Sequence, residues 1–455
     1  MANVREMDLT KGSILKKLTI YSIPFIFANI LQILFNTADI AVLGIFVGDD
    51  AVAAVGANSA LSGLLVNLFV AFSIGSNVVL ARYVGARDMD GARKTVGTSI
   101  LLALIAGIIL LVIGVPCSEL FLKFMGCDPE ILHMATVYLR IYFLGMPIMM
   151  LYNFCASILR AVGDTKRPLM YLAIGGAVNV VLNIFFVIVL KMTVEGVAIA
   201  TITSQLISAT LSIITLLKSD GYGCLKTKYL KISKEQLKQI MIIGVPSAFQ
   251  SLAFNISNVM IQSKVNSFGA VGTAANTAAA QFDAVIYNVG NAVAMSGMAF
   301  ASQNIGAKNM ARVKKTIFNT ILLVFIFQFG IGALFALLSP WLVGFIVSGS
   351  ETIQLAASRL TIMGLTYFLC GIMEVFANSV RAMGKPIVSL IVSVFGAAVF
   401  RVAWLEVTFL IWPYFHTIFL SYLASWSFTI IIYLFVTPKV FKIVCKQINQ
   451  PELEK

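Results

Sequence analysis

The sequence predicts an all-α integral membrane protein: twelve transmembrane helices in two six-helix bundles, related by a pseudo-two-fold axis along the membrane normal and flanking a central cavity. Three observations carry this fold class. Of 455 residues, 59% are hydrophobic and only 12% charged, whereas a soluble domain carries about 25% charged residues. Apolar stretches of about 20 residues, each long enough to span a bilayer as a helix, recur along the whole chain. The second half of the chain also repeats the first.

Apolar runs and polar breaks place helices at 18–47, 52–82, 94–114, 132–160, 168–190 and 194–217 in the first half. In the second half they fall at 240–267, 271–303, 314–339, 353–381, 386–412 and 415–437. The domains are an N-terminal lobe (1–217), a basic linker (218–239) and a C-terminal lobe with its tail (240–455). The opening MANVREMDLTKGSILKKL reads as polar and amphipathic, not as a cleaved signal peptide.

The repeat holds an offset of 221–222 residues. Ile23-Pro24 with Phe35-Asn36 returns as Val245-Pro246 with Ser257-Asn258. Gly75 returns as Gly297, Val84-Gly85-Ala86-Arg87 as Ile305-Gly306-Ala307-Lys308, and Arg93-Lys94-Thr95 as Lys314-Lys315-Thr316. Ile158-Leu-Arg160-Ala-Val-Gly163 returns as Ser379-Val-Arg381-Ala-Met-Gly384. Six spans per half, an even number, make the two halves parallel repeats, the architecture of alternating access about a shared cavity.

Net charge is +13, but its placement argues against a nucleic-acid surface. Of 33 Lys and Arg, 27 lie at the termini and in alternate loops (82–94, 160–167, 218–238, 308–315 and 381–385). The other loops are poor in bases and hold Asp49, Asp50, Glu119, Asp128, Glu130, Glu195 and Glu351. This is the positive-inside pattern, which places both termini in the cytoplasm of a multi-pass protein in the cell (inner) membrane. The six cysteines show no metal-binding spacing; Cys117 and Cys127 share an outer loop, as a pair or as free thiols. His133 and His416 sit near outer helix ends, as interfacial residues. Pro24 and Pro246, at equivalent places, act either as hinges or as static kinks.

Asp39 is a carboxylate inside the first apolar run, Phe35-Asn36-Thr37-Ala38-Asp39-Ile40. Such a charge is retained where it faces a cavity, a cation or a proton path, or where a neutral carboxyl bridges helices. Asn179 and Asn183, four residues apart, share one face of the fifth helix. With Asp39 and the hydroxyl of Thr201 they offer one anionic and several neutral oxygens, a hard-cation shell for Na⁺ held by Asp39, Asn179 and Asn183. The same groups equally suit a proton carrier. In the second half Asp283 and Glu374 lie well inside helices, with Gln281, Asn258 and Arg401 as further polar groups for a substrate cavity. Helix-end capping and interhelical hydrogen bonding are the other readings of both acids, and for Arg401 and Glu406 an ordinary charge pair to a neighbour suffices. Acids outnumber bases in these spans on this reading, which favours cationic substrates, with Arg401 the exception. Walker A, GxSxG and HExxH are absent, so the chain does not read as an ATPase or hydrolase.

In aggregate these residues resemble the multidrug and toxic-compound extrusion (MATE) family of secondary antiporters over about residues 10–440. The motifs are Ile23-Pro24, Asn36-Thr37-Ala38-Asp39, Val84-Gly85-Ala86-Arg87, Arg160-Ala-Val-Gly163-Asp164-Thr165-Lys166 and Gly196-Val-Ala-Ile-Ala-Thr201-Ile-Thr-Ser204-Gln205. Gln303-Asn304-Ile-Gly306-Ala307 and Arg381-Ala-Met-Gly384-Lys385-Pro386 add to them. The resemblance implies export of organic, mostly cationic amphipathic compounds in exchange for Na⁺ or H⁺, by a monomer in the lipid bilayer with no other cofactor. It implies that Asp39 couples to the ion with Asn179, Asn183 and Thr201. The chain departs from the family in two places. Asn183 stands where a second aspartate is frequent, and Phe254-Asn255 stands where one branch has a seventh-helix glutamate. A flippase for lipid-linked saccharides, of related architecture, is the alternative; it calls for several Lys or Arg in the cavity.

Overall fold

In lipid a backbone must satisfy its own hydrogen bonds, so a chain of apolar 20-residue runs becomes helices. The computed structural model describes residues 6–449; within one helix, the side chains of 59–62, 64–65 and 67–68 are not described. Residues 450–455 of the tail therefore lie outside the described residues. Among those residues there is no strand.

The first half comprises α1 (Ile14–Phe46), α2 (Asp49–Gly85), α3 (Met89–Phe124), α4 (Pro129–Leu144 with Met146–Ala161), α5 (Lys166–Ile184) and α6 (Val194–Lys218). The second comprises α7 (Lys234–Asn266), α8 (Gly269–Gly306), α9 (Met310–Val324), α10 (Ser350–Ala382), α11 (Pro386–Ser393, resuming as Phe400–Ile411) and α12 (Phe415–Asn449). A widened π turn follows α5 (Phe185–Val189), extends α9 (Phe325–Phe329, then Gly330–Leu337) and interrupts α11 (Val394–Val399). Ten helices are long and apolar enough to cross a membrane among the described residues. The α4 pair, bent by 50°, makes an eleventh, and α2 completes the twelve.

Several ends differ from the sequence reading. α3 runs ten residues beyond 114 and passes through Pro116, while α12 runs through Pro438 to Asn449. Apolar periodicity fades before these helices do, because their last turns leave the hydrocarbon. The expected single helix at 132–160 breaks at Gly145-Met146-Pro147, where proline removes a backbone donor. Pro24 and Pro246 lie inside continuous helices.

The repeat is visible in backbone geometry. Arg87 (φ 58°) and Lys308 (φ 57°) both take the left-handed conformation just after α2 and α8. Asp88 and Asn309 follow, each capping the next helix by accepting from the N–H of Gly91 and of Arg312. The same turn chemistry, written twice, starts α3 and α9.

The chain divides into two compact units. One holds Met1–Asp8 and Phe27–Ala248, the other Leu9–Ile26 and Phe249–Lys455. The first part of α1 thus belongs to the second unit and the first part of α7 to the first, unlike the simple lobe boundaries at 217 and 240. Within the first unit, Gly75 of α2 lies so close to α7 that a Cβ there would sit 2.4 Å from the Ile240 carbonyl oxygen. Leu139, Phe143, Met146, Met150 and Phe154 build that unit's core. In the second unit α10 packs along α8 and α12 around Leu360, Met373, Phe419 and Trp426. Within it, the backbone of Leu9 is held by Gln303 and Asn304 of α8.

Candidate functional site

In the first unit three helices converge on Asp39. α5 presents two adjacent glycines to its neighbours: a Cβ on Gly176 would lie 1.8 Å from the Phe35 ring of α1, and one on Gly175 2.2 Å from Ser208 Oγ of α6. These close approaches bring α1 and α6 against one face of α5. One turn further along that face lie Asn179 and then Asn183.

Asn183 Nδ2 donates to Asp39 Oδ1 at 2.5 Å and the Thr201 hydroxyl to Oδ2 at 3.3 Å. Asn183 Nδ2 also stands 3.4 Å from Asn179 Oδ1, and Asn179 Nδ2 stands 3.5 Å from Thr201 Oγ1. Thr201 has a second acceptor, the Val197 carbonyl, at 2.9 Å. Its single proton serves one of the two at a time. Asp39 is 9% exposed, and Asn183 is fully buried with its Oδ1 lacking a hydrogen-bond partner. A crevice of about 300 Å³ opens beside them, with Gln32, Asn36, Asn179, Thr201, Ser204 and Gln205 on its polar side. The four residues read from the sequence as one group thus come together. Among the described residues, no cluster of three or more His, Cys, Asp or Glu could hold a metal ion. A cation here meets one carboxylate and neutral oxygens.

In the second unit the expected acids part company. Asp283 Oδ2 lies 2.8 Å from Arg359 Nη2, both side chains buried, and the guanidinium sits 4.8 Å over the Phe419 ring. Asp283 is therefore paired within the fold, and it is not among the residues that line the cavity around Glu374. Arg359 escaped the sequence reading altogether. Within this unit the expected excess of acids over bases does not hold. The buried charges described in this unit are Asp283 and Glu374 against Arg359, Arg381 and Arg401.

Glu374 and Arg401 line one cavity of about 580 Å³ with Asn258, Tyr287, Tyr422 and Trp426. Arg401 Nε donates to Ser425 Oγ at 2.9 Å, and its guanidinium lies 4.2 Å over Tyr422 and 5.8 Å from the Trp426 centroid. Gln281 is exposed and lines neither cavity. Glu406 pairs with Lys264 at 2.8 Å. All six cysteines are free thiols, and His416 bonds Ser358.

The family profile described as MatE matches residues 24–185 and 246–404. A probable multidrug resistance protein of Bacillus subtilis, YoeA, is 26% identical over 393 residues, 85% of each chain. A second from that organism, YpnP, is 26% identical over 403 residues, covering 88% of this chain and 89% of its own. A solved structure of a multidrug resistance MATE family transporter of the MOP superfamily, in an outward-facing conformation, superposes with a TM-score of 0.90. It is 22% identical and covers 98% of this chain and all of its own. Twelve helices in two repeated bundles, matched by the family profile over both halves, mean that this multi-pass membrane protein belongs to the MATE family of transporters.

Proposed function

We propose that this protein is a secondary antiporter that exports amphipathic organic cations in exchange for Na⁺ or H⁺ by alternating access. The observation that carries the reading is the buried Asp39, gripped on both oxygens by Asn183 and Thr201 beside an open crevice. A buried carboxylate with only neutral partners is an incomplete charge balance, which a monovalent cation or a proton completes. The unpartnered Oδ1 of Asn183 supports this further. A half-turn of the amide presents that oxygen to a bound cation or to a protonated Asp39, with no backbone movement. Multidrug resistance is what the similar Bacillus proteins are named for, and export of such compounds is the role proposed here. In this reading both termini face the cytoplasm of the cell membrane, and the monomer is the working unit.

The second-unit cavity takes the substrate. Its Glu374 carboxylate makes no hydrogen bond or ion pair among the described residues, and aromatic rings surround it, a setting that holds cations through charge and cation–π contact. The purified protein in liposomes, given an imposed Na⁺ or pH gradient, should drive a fluorescent organic cation across the membrane. Asp39→Asn should abolish the gradient-driven part. Full gradient-driven transport by that variant sinks the assignment, and imposing the gradients one at a time identifies the coupling ion.

A further inference from the structure

The basic linker is more than a tether between the halves. It leaves α6 after Lys218, enters α7 at Lys234, and in between lies along α3 of the first unit. The Leu225 N–H donates to the Leu216 carbonyl at 2.9 Å, which turns the chain back along α6. A single 3₁₀ turn, Thr227–Tyr229, then brings it onto α3. Gly97 approaches so closely that a Cβ there would sit 1.8 Å from the Tyr229 carbonyl oxygen. The Thr98 hydroxyl accepts from the Ser233 N–H at 3.1 Å and stands 3.4 Å from the Lys231 carbonyl oxygen. A glycine and a threonine thus make a berth for the linker, and Thr98 is fully buried beneath it.

The helix itself fixes the depth and side of this berth. Ile105 and Val112 follow Thr98 at steps of two turns on the same face. They are 41% and 61% exposed along a helix that crosses the membrane, so this face looks onto lipid. α3 carries no charge from Thr95 to Ser118. At 1.5 Å per residue that run covers about 36 Å, against a hydrocarbon core of about 30 Å. Gly97 and Thr98 stand in its first turn. The linker therefore covers the lipid-facing side of α3 at the edge of the hydrocarbon. From that position Leu230 and Ile232 are 42% and 45% exposed, and Lys226, Lys228 and Lys231 are exposed beside them. The three lysines make no ion pair among the described residues, while Asp90 of α3 is taken by Lys94 at 2.6 Å. Bare aliphatic chains set among unpaired ammonium groups, at headgroup depth, are what an anionic leaflet binds.

We propose that residues 226–232 form a lipid site, Leu230 and Ile232 entering the acyl boundary while Lys226, Lys228 and Lys231 bind the phosphates of anionic phospholipids. A bilayer fits better than a soluble acidic partner, because the berth on α3 lies at the depth of the headgroups. Ser233, bonded to Thr98, immediately precedes α7, so the site sits where that helix begins. It stands apart from both cavities and does not depend on what the protein exports.

Photo-crosslinking tests it. The full-length protein with Leu230 replaced by benzoylphenylalanine is placed in phosphatidylcholine bilayers holding about 30% phosphatidylglycerol, a fraction that gives the leaflet its negative potential. After irradiation the intact protein is weighed by mass spectrometry, which identifies any lipid attached. A lipid adduct is expected, with phosphatidylglycerol at about three times its mole share or more. Combining Lys226→Gln, Lys228→Gln and Lys231→Gln should keep the adduct and bring phosphatidylglycerol down to its mole share. Arginine at the same three positions should keep the excess, which separates lost charge from altered packing. Lys439→Gln, Lys442→Gln and Lys446→Gln together remove the same charge from the end of α12 and should leave the excess intact. Thermal unfolding confirms that each protein is folded. An absent adduct, or a crosslink to the protein itself, overturns the proposal, since residue 230 then faces water or another part of the chain. So does an excess that the linker glutamines leave unaltered, or that the α12 glutamines lower equally, since general surface charge then accounts for it.

Discussion

Arg359 and Asp283 stand 76 residues apart in the chain and 2.8 Å apart in the fold. Both are buried, and Asp283 Oδ1 with Arg359 Nε and Nη1 lacks hydrogen-bond partners. The pair is held by charge, with few satellite bonds. Removing one partner strands the other as an unpaired charge and costs about 3–5 kcal/mol, whereas removing both charges together is frequently near neutral. Asp283→Asn and Arg359→Gln should each lower the unfolding temperature sharply in detergent. The double variant should melt closer to the wild type than the sum of the single losses. Simple additivity of the two losses would show that the residues do not act as a pair.

The approach of α1 to α5 depends on Gly176. A methyl group at that position points into the Phe35 ring, one turn before Asp39, and overpacking of this kind costs about 1–3 kcal/mol. Gly176→Ala should therefore destabilise the protein and reduce gradient-driven transport, by shifting α1 relative to Asn183. Gly56 of α2 is the control, since a Cβ there meets nothing within 4 Å. Gly56→Ala should be neutral or stabilise by about 0.4–1 kcal/mol. If both variants transport alike, the packing of Phe35 on Gly176 does not position Asp39.

How much of this was legible in the sequence depends on the range of the interaction. Asp39 announced itself as a charge in an apolar run, and Asn179 and Asn183 share a face by helical spacing alone. The repeat supplied the two bundles, down to the matched turns at Arg87 and Lys308. Long-range partners left no local trace. An acid such as Asp283 deep in a membrane helix demands a counter-charge, but Lys264, Arg359, Arg381 and Arg401 all lie inside spans of that half, and spacing alone does not choose among them. Arg401 carries no local signal of its setting, because its guanidinium rests on Tyr422 and Trp426 of the next helix. The exchange of α1 and α7 segments between the two units is likewise invisible to periodicity, which reports the faces of a helix and not its neighbours.

Asp164, in the loop between α4 and α5, accepts from the Arg167 N–H at 3.1 Å and lies 3.5 Å from its Nε. Burial outweighs these contacts and raises its carboxyl above the ordinary aspartate range. The folded state therefore holds a proton that the unfolded state has already released in the window just above that range. Stability falls as pH rises through this window, and the cost is fully present at neutral pH. Asp164→Asn keeps the acceptor for Arg167 without the charge, so it should unfold at or above the wild-type temperature at neutral pH. That advantage should shrink as pH falls toward the ordinary aspartate range. Asp164→Ala loses the acceptor as well and should cost about 0.5–2 kcal/mol. A wild type more stable than Asp164→Asn at neutral pH, with the gap closing on acidification, reverses the sign and refutes the assignment.

Asn183 makes the shortest contact to Asp39, and its amide is fully buried. A hydrogen bond to an ionised group is worth about 1.5–3 kcal/mol, or roughly ten- to a hundredfold in an equilibrium constant. Asn183→Ala removes that donor and the spare oxygen together, leaving the Thr201 hydroxyl divided between Asp39 and the Val197 carbonyl. The ion-free carboxylate loses that stabilisation, so in proton coupling the H⁺ concentration needed for half-maximal transport should fall about tenfold. Asn183→Gln retains the amide on a longer stem and should recover part of this, which separates ion coupling from loss of packing. Thermal unfolding of both variants shows whether the helix bundle survives. An Asn183→Ala protein that is folded and responds to the ion at wild-type concentrations would leave Asp39 without its principal partner in coupling, and the first-unit site would have to be drawn around Thr201 instead.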